Sequence, residues 1–545
     1  MNTAGGTPPR LHSPAVSWGA NLPDPDAADL AATLLRAAGS GSAAIRFVRD
    51  EHTETELGYG DLALAASKIL SGARERGAKR SDKVVLGPMA DDRDLLAAVW
   101  ACVLGGMVPL PLGANGPRWD ALDGLWRDDD TVWTIAEHRR VSRARHLGTV
   151  AELETASPTE EYEPGGWDDL AVLLPVHSST APRAVMLSHG NIISRTVAAV
   201  HADGLGPDER TFNWMPFDQV GGLVMSHIRD VYLRCEQVHA PTQWILADPL
   251  RWIDQMHRRR TTAAWAPNFA FELVGDNATR MCEHQWDLSA LRRVMNGGEG
   301  MAPEVLRRFT RLLEPHGLAS DAMMPGWGRA EAASTVVGWR PRFDERPNGR
   351  FIAAGYPHPG VGIRIVNHFD ELLPEGEPGF LEVTGEQVGA GYYGDADASR
   401  RAFSADRWFR TGELAYLERG RLTVTGRTGD VIVIGGDAHH GHEIERTVET
   451  VASVEPAFTV ACAVTGSGGD EPGLAVFYVS AEGADSQVTA KEIREAVRRG
   501  HGLETVHVVP VAADDIPQTH FPRLRRALMV QRFEAGAFDS TAVRP

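Results

Sequence analysis

Two segments of this 545-residue sequence carry groups that suit an anionic ligand. Ser178, Ser179 and Thr180 follow an apolar run, and their hydroxyl groups can donate hydrogen bonds to a phosphate. Gly297 and Gly298 follow a second apolar run, and two adjacent glycines allow the backbone to lie close against a ligand. The first segment therefore offers three neighbouring hydroxyl groups to a ligand. At the second, a ligand contact and a simple turn are both open.

The histidines and cysteines show no pattern that is typical of a metal site. His439, His440 and His442 are close in sequence, but their spacing matches no common zinc motif, and we expect a solvated loop there. The four cysteines are far apart and form no CxxC pair. This spacing argues against both a disulfide framework and a cysteine-based zinc site.

Apolar runs of strand length alternate with segments of helix length through most of the chain. This alternation predicts an α/β fold with a large N-terminal domain of layered, mostly parallel sheets and helices. The expected strands are Val84–Leu86, Val108–Leu112, Leu170–Val176, Ala184–Leu187, Thr262–Trp265 and Arg292–Met295. The expected helices are Arg93–Leu104, Asn191–Val200, Pro249–Arg258 and Ala302–Leu313.

The pattern changes after Leu372. Short apolar runs between glycines and aspartates, such as Gly379–Thr384, predict a small β-rich subdomain. The segments beyond Arg427 predict a small, mobile α+β C-terminal domain. We place the boundary within Arg427–Asp430, which gives one domain at 1–427 and a second at 428–545.

The charge balance argues against binding to nucleic acid or to an anionic membrane surface. Lysine and arginine number 55 against 73 acidic residues, so the formal net charge is −18. The longest apolar stretch, Leu95–Ala114, is interrupted by a glycine pair and two prolines, which predicts a buried helix and strand rather than a membrane span. Met1–Pro25 has no apolar signal core. We therefore expect a soluble, cytoplasmic protein.

A series of motifs resembles the adenylate-forming superfamily, which includes acyl-CoA synthetases, fatty acyl-AMP ligases and the adenylation domains of peptide synthetases. The motifs are VHSSTAPRAVMLSHGN at 176–191, Asn296–Glu299, Gly326–Glu331, Arg410–Leu414, Gly426–Asp430 and Ile516–Thr519. One such motif recurs by chance, but the whole series in register over most of the chain indicates the fold. Segments 213–222, 228–233, 239–241 and 265–270 resemble the acyl-AMP ligase-like starter domains of polyketide assembly lines.

The resemblance implies ATP-dependent activation of a carboxylic acid, a reaction that depends on positioning two anions and neutralising charge. It also implies that residues 1–427 form the acid- and nucleotide-binding domain and that residues 428–545 form a mobile lid domain. The implied nucleotide-binding residues are Ser178, Ser179, Thr180, Gly297, Gly298, Glu299, Trp327, Glu413 and Arg427. Glu331 is implied as the catalytic residue that binds magnesium, Arg523 as the mobile catalytic cation and Gly429 as the hinge.

Three of these residues also have a structural alternative. Glu331 can be a solvated loop acid, and Trp327 can be a core tryptophan beside two glycines. Arg427 can be a surface charge.

The resemblance also implies where the acid binds. The expected pocket residues are Trp214, Asp218, Gln219, Gly221, Gly222 and Phe269. Asp218 either faces an amino group, as an aspartate does in amino-acid-activating relatives, or caps the helix that follows, and we favour the cap. Aromatic and methionine residues in this region favour an apolar or aryl acid, although a packed core would have the same composition.

The sequence departs from the superfamily pattern where phosphate is handled. The phosphate loop lacks all three glycines of the usual Ser-Gly-Ser-Thr-Gly-x-Pro-Lys-Gly, and Ala330 replaces a threonine. Glu413 stands where an aspartate is usual. Arg523, preceded by Pro522, replaces a lysine, and a planar guanidinium is not equivalent to a compact ammonium. Slow adenylation and no adenylation are both compatible with these changes.

Three functions are therefore open. The first is activation of an acid with ATP and magnesium, then transfer to the phosphopantetheine thiol of a carrier protein in trans, in polyketide or nonribosomal peptide biosynthesis. The second is another reaction on a carrier-bound acyl group by an adenylation-impaired member. The third is a non-catalytic docking protein. We favour the first because the motifs keep their register and because Glu331, Glu413 and Arg427 are retained.

Overall fold

The computed structural model divides into two compact units, Met1–Thr425 and Gly426–Pro545. It describes residues 13–41, 44–113, 119–137, 143–176, 183–298, 301–341, 351–427, 431–434, 437–464, 473–481, 483–503, 506–516 and 526–538. Sheets flanked by helices form the first unit, and the second is a small α+β body, so the predicted α/β class is confirmed. Among the described residues, no helix combines the length and apolar content that a bilayer crossing requires.

The strands are numbered in chain order. Those that begin in the first unit are β1 Val16–Trp18, β2 Ala44–Val48, β3 Glu54–Gly58, β4 Lys83–Leu86, β5 Val108–Pro111, β6 Val132–Ile135, β7 Arg145–Gly148, β8 Leu170–Val176, β9 Arg183–Ser188, β10 Arg210–Asn213, β11 Glu236–His239, β12 Ala263–Ala266, β13 Arg293–Asn296, β14 Met323–Arg329, β15 Ser334–Gly338, β16 Tyr356–Pro357, β17 Val361–Val366, β18 Gly379–Gly385, β19 Gly391–Tyr392, β20 Phe409–Glu418 and β21 Arg421–Arg427. Those of the second unit are β22 Val431–Ile434, β23 Asp437–His440, β24 Val454–Val464, β25 Gly473–Ser480 and β26 Val506–Pro510.

The helices are numbered in the same way. The first unit contains α1 Leu30–Ala38, α2 Tyr59–Glu75, α3 Asp92–Leu104, α4 Val150–Leu153, α5 His189–Asp203, α6 Arg229–Leu233, α7 Thr242–Ala247, α8 Leu250–Arg258, α9 Asn268–Asp276, α10 Ala278–Met281, α11 Pro303–Leu313 and α12 Ala396–Ala402. The second contains α13 Gly441–Val448, α14 Ser486–His501 and α15 Arg526–Glu534. A π-helical segment spans Gly221–Ile228, and short 3-10 turns span Trp119–Gly124, Glu314–His316, Ala330–Ala332 and Ala513–Asp515.

A nine-stranded sheet positions most of the candidate residues. Its order is β16-β15-β14-β13-β12-β10-β11-β2-β3, and the strands from β14 to β2 are parallel to one another. A second sheet, β5-β4-β6-β7, is wholly parallel. Strands β5 and β6 are buried along their whole length, which is why they appear in the sequence as continuous apolar runs.

One pair of strands differs from the expected parallel arrangement. Leu170–Val176 and Ala184–Leu187 form the antiparallel hairpin β8 and β9, which extends to β19. Only residues 177–182 separate the two strands. A parallel connection needs a crossover of about a dozen residues or more, so this spacing allows only an antiparallel pair.

The small β-rich subdomain is the antiparallel sheet β1-β17-β18-β20-β21. Strand β20 alternates between buried and more exposed positions, with Phe409, Thr411, Glu413, Ala415 and Leu417 on its buried side. Glu413 is therefore a carboxylate at a core-facing position. A charge there needs a partner, because an unpaired buried carboxylate is strongly destabilising.

Helix α5 shows how local sequence fixes an element near the phosphate-loop motif. Ser188 caps its first turn by accepting a hydrogen bond from the Asn191 backbone, and the Asn191 side chain bonds back to the Ser188 backbone. Gly204 ends the helix with φ of +58°, a conformation that glycine adopts without strain.

The second unit has its own core. Strands β24, β25 and β26 form a mixed sheet with buried apolar residues on both faces. Helices α13 and α14 cover one face and α15 contributes to the other. His439 and His440 lie on strand β23, which pairs with β22, and so the expected loop is wrong.

Candidate functional site

Candidate residues meet at the carboxyl ends of three neighbouring parallel strands. Trp265 lies on β12, Gly297 follows β13, and Trp327 lies on β14. These strands are adjacent in the nine-stranded sheet, so their ends share one edge. Open α/β sheets bind ligands at this edge.

The glycine pair after β13 occupies a tight position. A Cβ on Gly297 would lie 3.2 Å from the Gly326 carbonyl oxygen, and Gly298 has φ of +87°. Glycine is therefore required at Gly298 for the backbone and favoured at Gly297 for packing against β14. A turn accounts for both residues, and their contact with adenine stays a prediction.

Glu331 and Glu413 are both buried, and one arginine lies between them. Arg329 Nε and Nη2 donate to the two Glu331 oxygens at 3.3 and 3.4 Å. Its Nη1 donates to Glu413 Oε1 at 3.3 Å. The Tyr392 hydroxyl donates to Glu331 Oε1 at 2.8 Å. Glu331 is thus a paired core carboxylate and not a solvated loop acid, with only 3% of its side chain exposed.

Charge pairing sets the protonation of this group. Burial alone would raise the pKa of Glu331, but Arg329 and the Tyr392 hydroxyl reverse that effect and lower it. Burial alone would lower the pKa of Arg329, and the two carboxylates raise it instead. Burial and the Glu331 carboxylate raise the pKa of Tyr392. Glu331 is therefore an ionised carboxylate paired with a guanidinium, and Tyr392 is a neutral phenol.

Trp327 lies in the core of the β-rich subdomain. It is 7% exposed and packs with residues such as Val336 and Phe409. Its indole Nε1 donates to Glu413 Oε2 at 2.5 Å. In this structure Trp327 holds the second carboxylate, which fits the core alternative. Stacking on adenine stays a prediction.

The π-helical segment Gly221–Ile228 begins at the two glycines expected in the acid pocket. A Cβ on Gly221 would lie 2.3 Å from the Trp265 ring, and a Cβ on Gly222 would lie 2.2 Å from the Pro216 carbonyl oxygen. Ser226 Oγ donates to the Gly221 carbonyl at 3.0 Å. Wide turns of this kind often occur at functional sites, and here the wide turn brings Gly221 against Trp265.

Asp218 bonds to a loop backbone. Its Oδ2 accepts a hydrogen bond from the Gly113 N–H at 2.9 Å, and the residue is 6% exposed. The helical segment that follows begins at Val220 with no side-chain cap. The expected helix cap is therefore wrong, because the carboxylate turns toward the end of β5 instead.

Trp214 and Phe269 pack edge to face in a buried aromatic group. Their ring centroids are 6.3 Å apart, and Trp214 also lies 6.0 Å from Trp252. This arrangement is typical of a core. Gln219 is half-buried, and its backbone carbonyl oxygen accepts a hydrogen bond from the Leu223 N–H. A pocket role for these residues stays a prediction.

A buried polar network holds the indole ring of Trp265 in place. Its Nε1 donates to Ser226 Oγ at 2.9 Å and to Asn213 Oδ1 at 3.3 Å. Asn213 Nδ2 lies 3.3 Å from His239 Nδ1, and His239 Nε2 lies 2.7 Å from Gln237 Oε1. Because Gln237 Oε1 can only accept, His239 carries its proton on Nε2 and is neutral.

The network continues to a second buried histidine. His227 Nδ1 donates to Gln237 Oε1 at 2.8 Å, and its Nε2 accepts from Trp100 Nε1 at 2.8 Å. Burial lowers the pKa of His227 to about 4 and the pKa of His239 well below its usual value. Two neutral histidines in fixed tautomers therefore support Asn213 and Trp265.

Several predicted site residues lie outside the described residues. They are Ser178, Ser179, Thr180, Glu299, Gly429 and Arg523. Arg427 is described as the half-buried last residue of β21. Their roles stay predictions.

Sequence reasoning missed three residues that the structure brings to the site. Arg329 lies inside the motif Gly326–Glu331, and its place two residues before a carboxylate was the available signal. Tyr392 contacts Glu331 across a separation of 61 residues, which no local pattern reveals. Asn213 begins the segment 213–222, but no local pattern reveals its contacts with Trp265 and His239.

The chain is similar to known proteins over most of its length. Residues 36–393 match the family described as AMP-binding enzyme. Nonribosomal peptide synthetase apvA of Aspergillus terreus (strain NIH 2624 / FGSC A1156) is 29% identical over 394 residues, 70% of this chain and 42% of that protein. The chain spans about half the length of the curated relatives it matches.

Two solved structures share the fold closely. McyG A-PCP complexed with phenylalanyl-adenylate has a TM-score of 0.88 and 30% identity, covering 96% of this chain and 86% of that one. A multidomain structure of a keto acid-selecting NRPS module, with adenylation, ketoreductase and pseudo Asub domains, has a TM-score of 0.89 and 30% identity. The match covers 98% of this chain and 48% of that one. With the family match over residues 36–393, they identify this chain as a member of the AMP-binding enzyme family, the adenylate-forming superfamily that its motifs resemble.

Proposed function

We propose that this chain activates a carboxylic acid with ATP as an acyl-adenylate. The carboxylate oxygen attacks the α-phosphorus, the bond from that phosphorus to the bridging oxygen breaks, and pyrophosphate leaves. The observation that carries the proposal is family membership over residues 36–393. ATP, with magnesium as its counter-ion, and the acid would come from the cytoplasm.

The proposed roles follow the motif register. Ser178, Ser179 and Thr180 would donate to the phosphates, and Glu413 with Arg427 would bind the ribose hydroxyls. The Gly297-Gly298 turn would face the adenine. Arg523 would supply the mobile positive charge at the α-phosphate, and Gly429 would be the hinge that brings it there.

The acid class that we propose is an apolar or aryl α-keto acid. An amino acid substrate would need a carboxylate facing its ammonium group, and in Asp218 one of the two oxygens serves the Gly113 N–H instead. A solved structure 30% identical to this chain belongs to a keto acid-selecting module. The apolar side chain would enter near Gly221, Gly222 and Trp265.

The acceptor that we propose is the phosphopantetheine thiol of a carrier protein in trans. Its sulfur attacks the acyl carbon, the bond from that carbon to the phosphate oxygen breaks, and AMP leaves. A relative named as a nonribosomal peptide synthetase supports this setting in secondary metabolism. Transfer to coenzyme A is the competing outcome.

Pyrophosphate release tests the proposal. The chain is incubated with ATP, magnesium and matched sets of acids that share one side chain and differ at the α-carbon: keto, amino, hydroxy and unsubstituted. We expect the keto acid to give the highest kcat/KM. Highest turnover with the amino acid would contradict the acid class.

A null result has a defined meaning. No pyrophosphate with any acid, despite a folded protein, would contradict adenylation and favour an impaired family member. In that case, reaction of a carrier-bound acyl group without ATP separates a repurposed enzyme from a docking protein.

A further inference from the structure

Glu331 lies in a buried group of side chains at the end of β14, together with Arg329, Glu413 and Tyr392. The question is which cation pairs with its carboxylate. The motif register implies magnesium at this carboxylate. The structure places the Arg329 guanidinium there, at 3.3 and 3.4 Å from the two oxygens. The arginine therefore stands where a metal would have to bind.

Magnesium does not fit this arrangement. It requires about six oxygen ligands at about 2.0–2.1 Å in an octahedron. Glu331 Oε1 already accepts from Tyr392 and Arg329, and Oε2 accepts from Arg329. A metal at Glu331 would also lie beside the guanidinium, where two positive charges repel.

Arg329 retains the means to contact a nucleotide. A guanidinium has five N–H groups, and the contacts to Glu331 and Glu413 use three of them. The side chain is 26% exposed, so one side of it is accessible. Its planar fork suits phosphate oxygens.

The charge balance agrees with this assignment. Arg329 offsets the negative charge of Glu331 without any metal. The same guanidinium also bonds to Glu413. Tyr392 adds a neutral donor to Glu331. No part of the group then requires a divalent cation.

We propose that Arg329 takes the place of the divalent metal at Glu331, so that this chain binds ATP with an affinity that does not depend on magnesium. This inference rests on the proposed function. The cation at Glu331 is then the guanidinium of Arg329, which a chelator cannot remove.

The first part of the inference, that Arg329 takes the place of the metal at Glu331, can be tested without nucleotide. Arg329→Met removes the charge and keeps an apolar stem, which leaves two buried carboxylates without their cation. We expect magnesium chloride, against sodium chloride of equal ionic strength, to raise the melting temperature of Arg329→Met by about 2 °C or more. The wild type should not shift.

The matched control is Arg364→Met. Arg364 pairs with buried Glu382 at 2.7 Å in the same unit, on β17. Losing it also breaks a buried ion pair, but Arg410 still reaches Glu382 at 3.3 Å. We expect no magnesium effect. If Arg329→Met does not fold, Arg329→Lys keeps the charge and should stay insensitive to magnesium.

The second part, that the affinity for ATP does not depend on magnesium, is tested by calorimetric titration with ATP in EDTA and then in magnesium. We expect the wild-type affinity to agree within about threefold, and Arg329→Met to lose about tenfold in EDTA and to recover in magnesium. Wild-type binding that is about tenfold tighter with magnesium would overturn the inference. So would an Arg329→Met protein whose melting temperature ignores magnesium. Absence of ATP binding in both buffers would contradict the proposed function, and the melting experiment would still decide the metal question.

Discussion

Asp218 is the residue on which the choice between amino and keto acid depends. Its carboxylate accepts from the Gly113 N–H at the end of β5 and is buried. A side chain used in this way fixes the loop after β5 against the start of the π-helical segment. This hydrogen bond favours a packing role for Asp218, and contact with the substrate stays a prediction.

Substitution of Asp218 tests this assignment. Asp218→Asn keeps an oxygen acceptor for Gly113 and should change the free energy of unfolding by less than about 1 kcal/mol. Asp218→Ala leaves a donor unpaired and should cost about 1–3 kcal/mol. Urea denaturation measures both. The asparagine variant should keep the wild-type preference for keto over amino acid, and a switch in preference would show that the carboxylate faces the substrate.

At the scale of elements, the π-helical segment depends on its glycines. Gly222 lies so close to the Pro216 carbonyl that no Cβ fits without a backbone shift. Gly221 admits the Trp265 ring in the same way. The width of the turn and the position of Trp265 are therefore coupled.

Gly222→Ala should destabilise the first unit by about 1–3 kcal/mol, because the added methyl group overlaps backbone atoms. Gly206→Ala is the matched control, since a Cβ there meets nothing within 4 Å. The control should be neutral or stabilising by less than about 1 kcal/mol. Equal urea midpoints for the two variants would contradict the account of this segment.

The buried histidine pair predicts a pH dependence. Burial holds the pKa of His227 at about 4, below the usual value of 6.5 in an unfolded chain. As pH falls from 6.5 toward 4, His227 binds a proton in the unfolded chain but not in the folded chain. Stability is therefore full above pH 6.5 and is lost by up to about 1.4 kcal/mol per pH unit below it.

His227→Gln keeps one donor and one acceptor for Gln237 and Trp100. We expect this variant to lose less stability than the wild type between pH 7 and pH 5, measured by urea denaturation at each pH. His201→Gln, at an exposed position of α5, is the control and should keep the wild-type slope. An unchanged slope in His227→Gln would mean that the histidine is protonated in the folded state.

These elements show what the sequence can and cannot predict. Helices α3 and α11 and strands β12 and β13 were predictable because apolar periodicity and runs are local. The antiparallel pairing of β8 and β9 was not predicted because apolar runs carry no direction, although the short connection between them indicates a hairpin. Motif register led to Glu331 and Glu413 but not to their partner, since the contact from Arg329 to Glu413 spans 84 residues.

At the scale of the whole molecule, the chain is two compact units with separate cores. The second unit covers Gly426–Pro545 and buries apolar residues on both faces of its sheet. This length lies in the ordinary range of an independent domain. We expect the fragment Gly426–Pro545 to fold alone, with a cooperative urea transition by circular dichroism. A fragment that stays unfolded would show that its core depends on the first unit.

The most direct test of the account is detection of the acyl-adenylate itself. The full chain is mixed with ATP, magnesium and an aryl α-keto acid, without any thiol acceptor, and the quenched mixture is measured by mass spectrometry. The account predicts a species with the mass of the keto acid joined to AMP, in an amount close to that of the protein. ATP bound to the folded chain with no adenylate from any acid would contradict it.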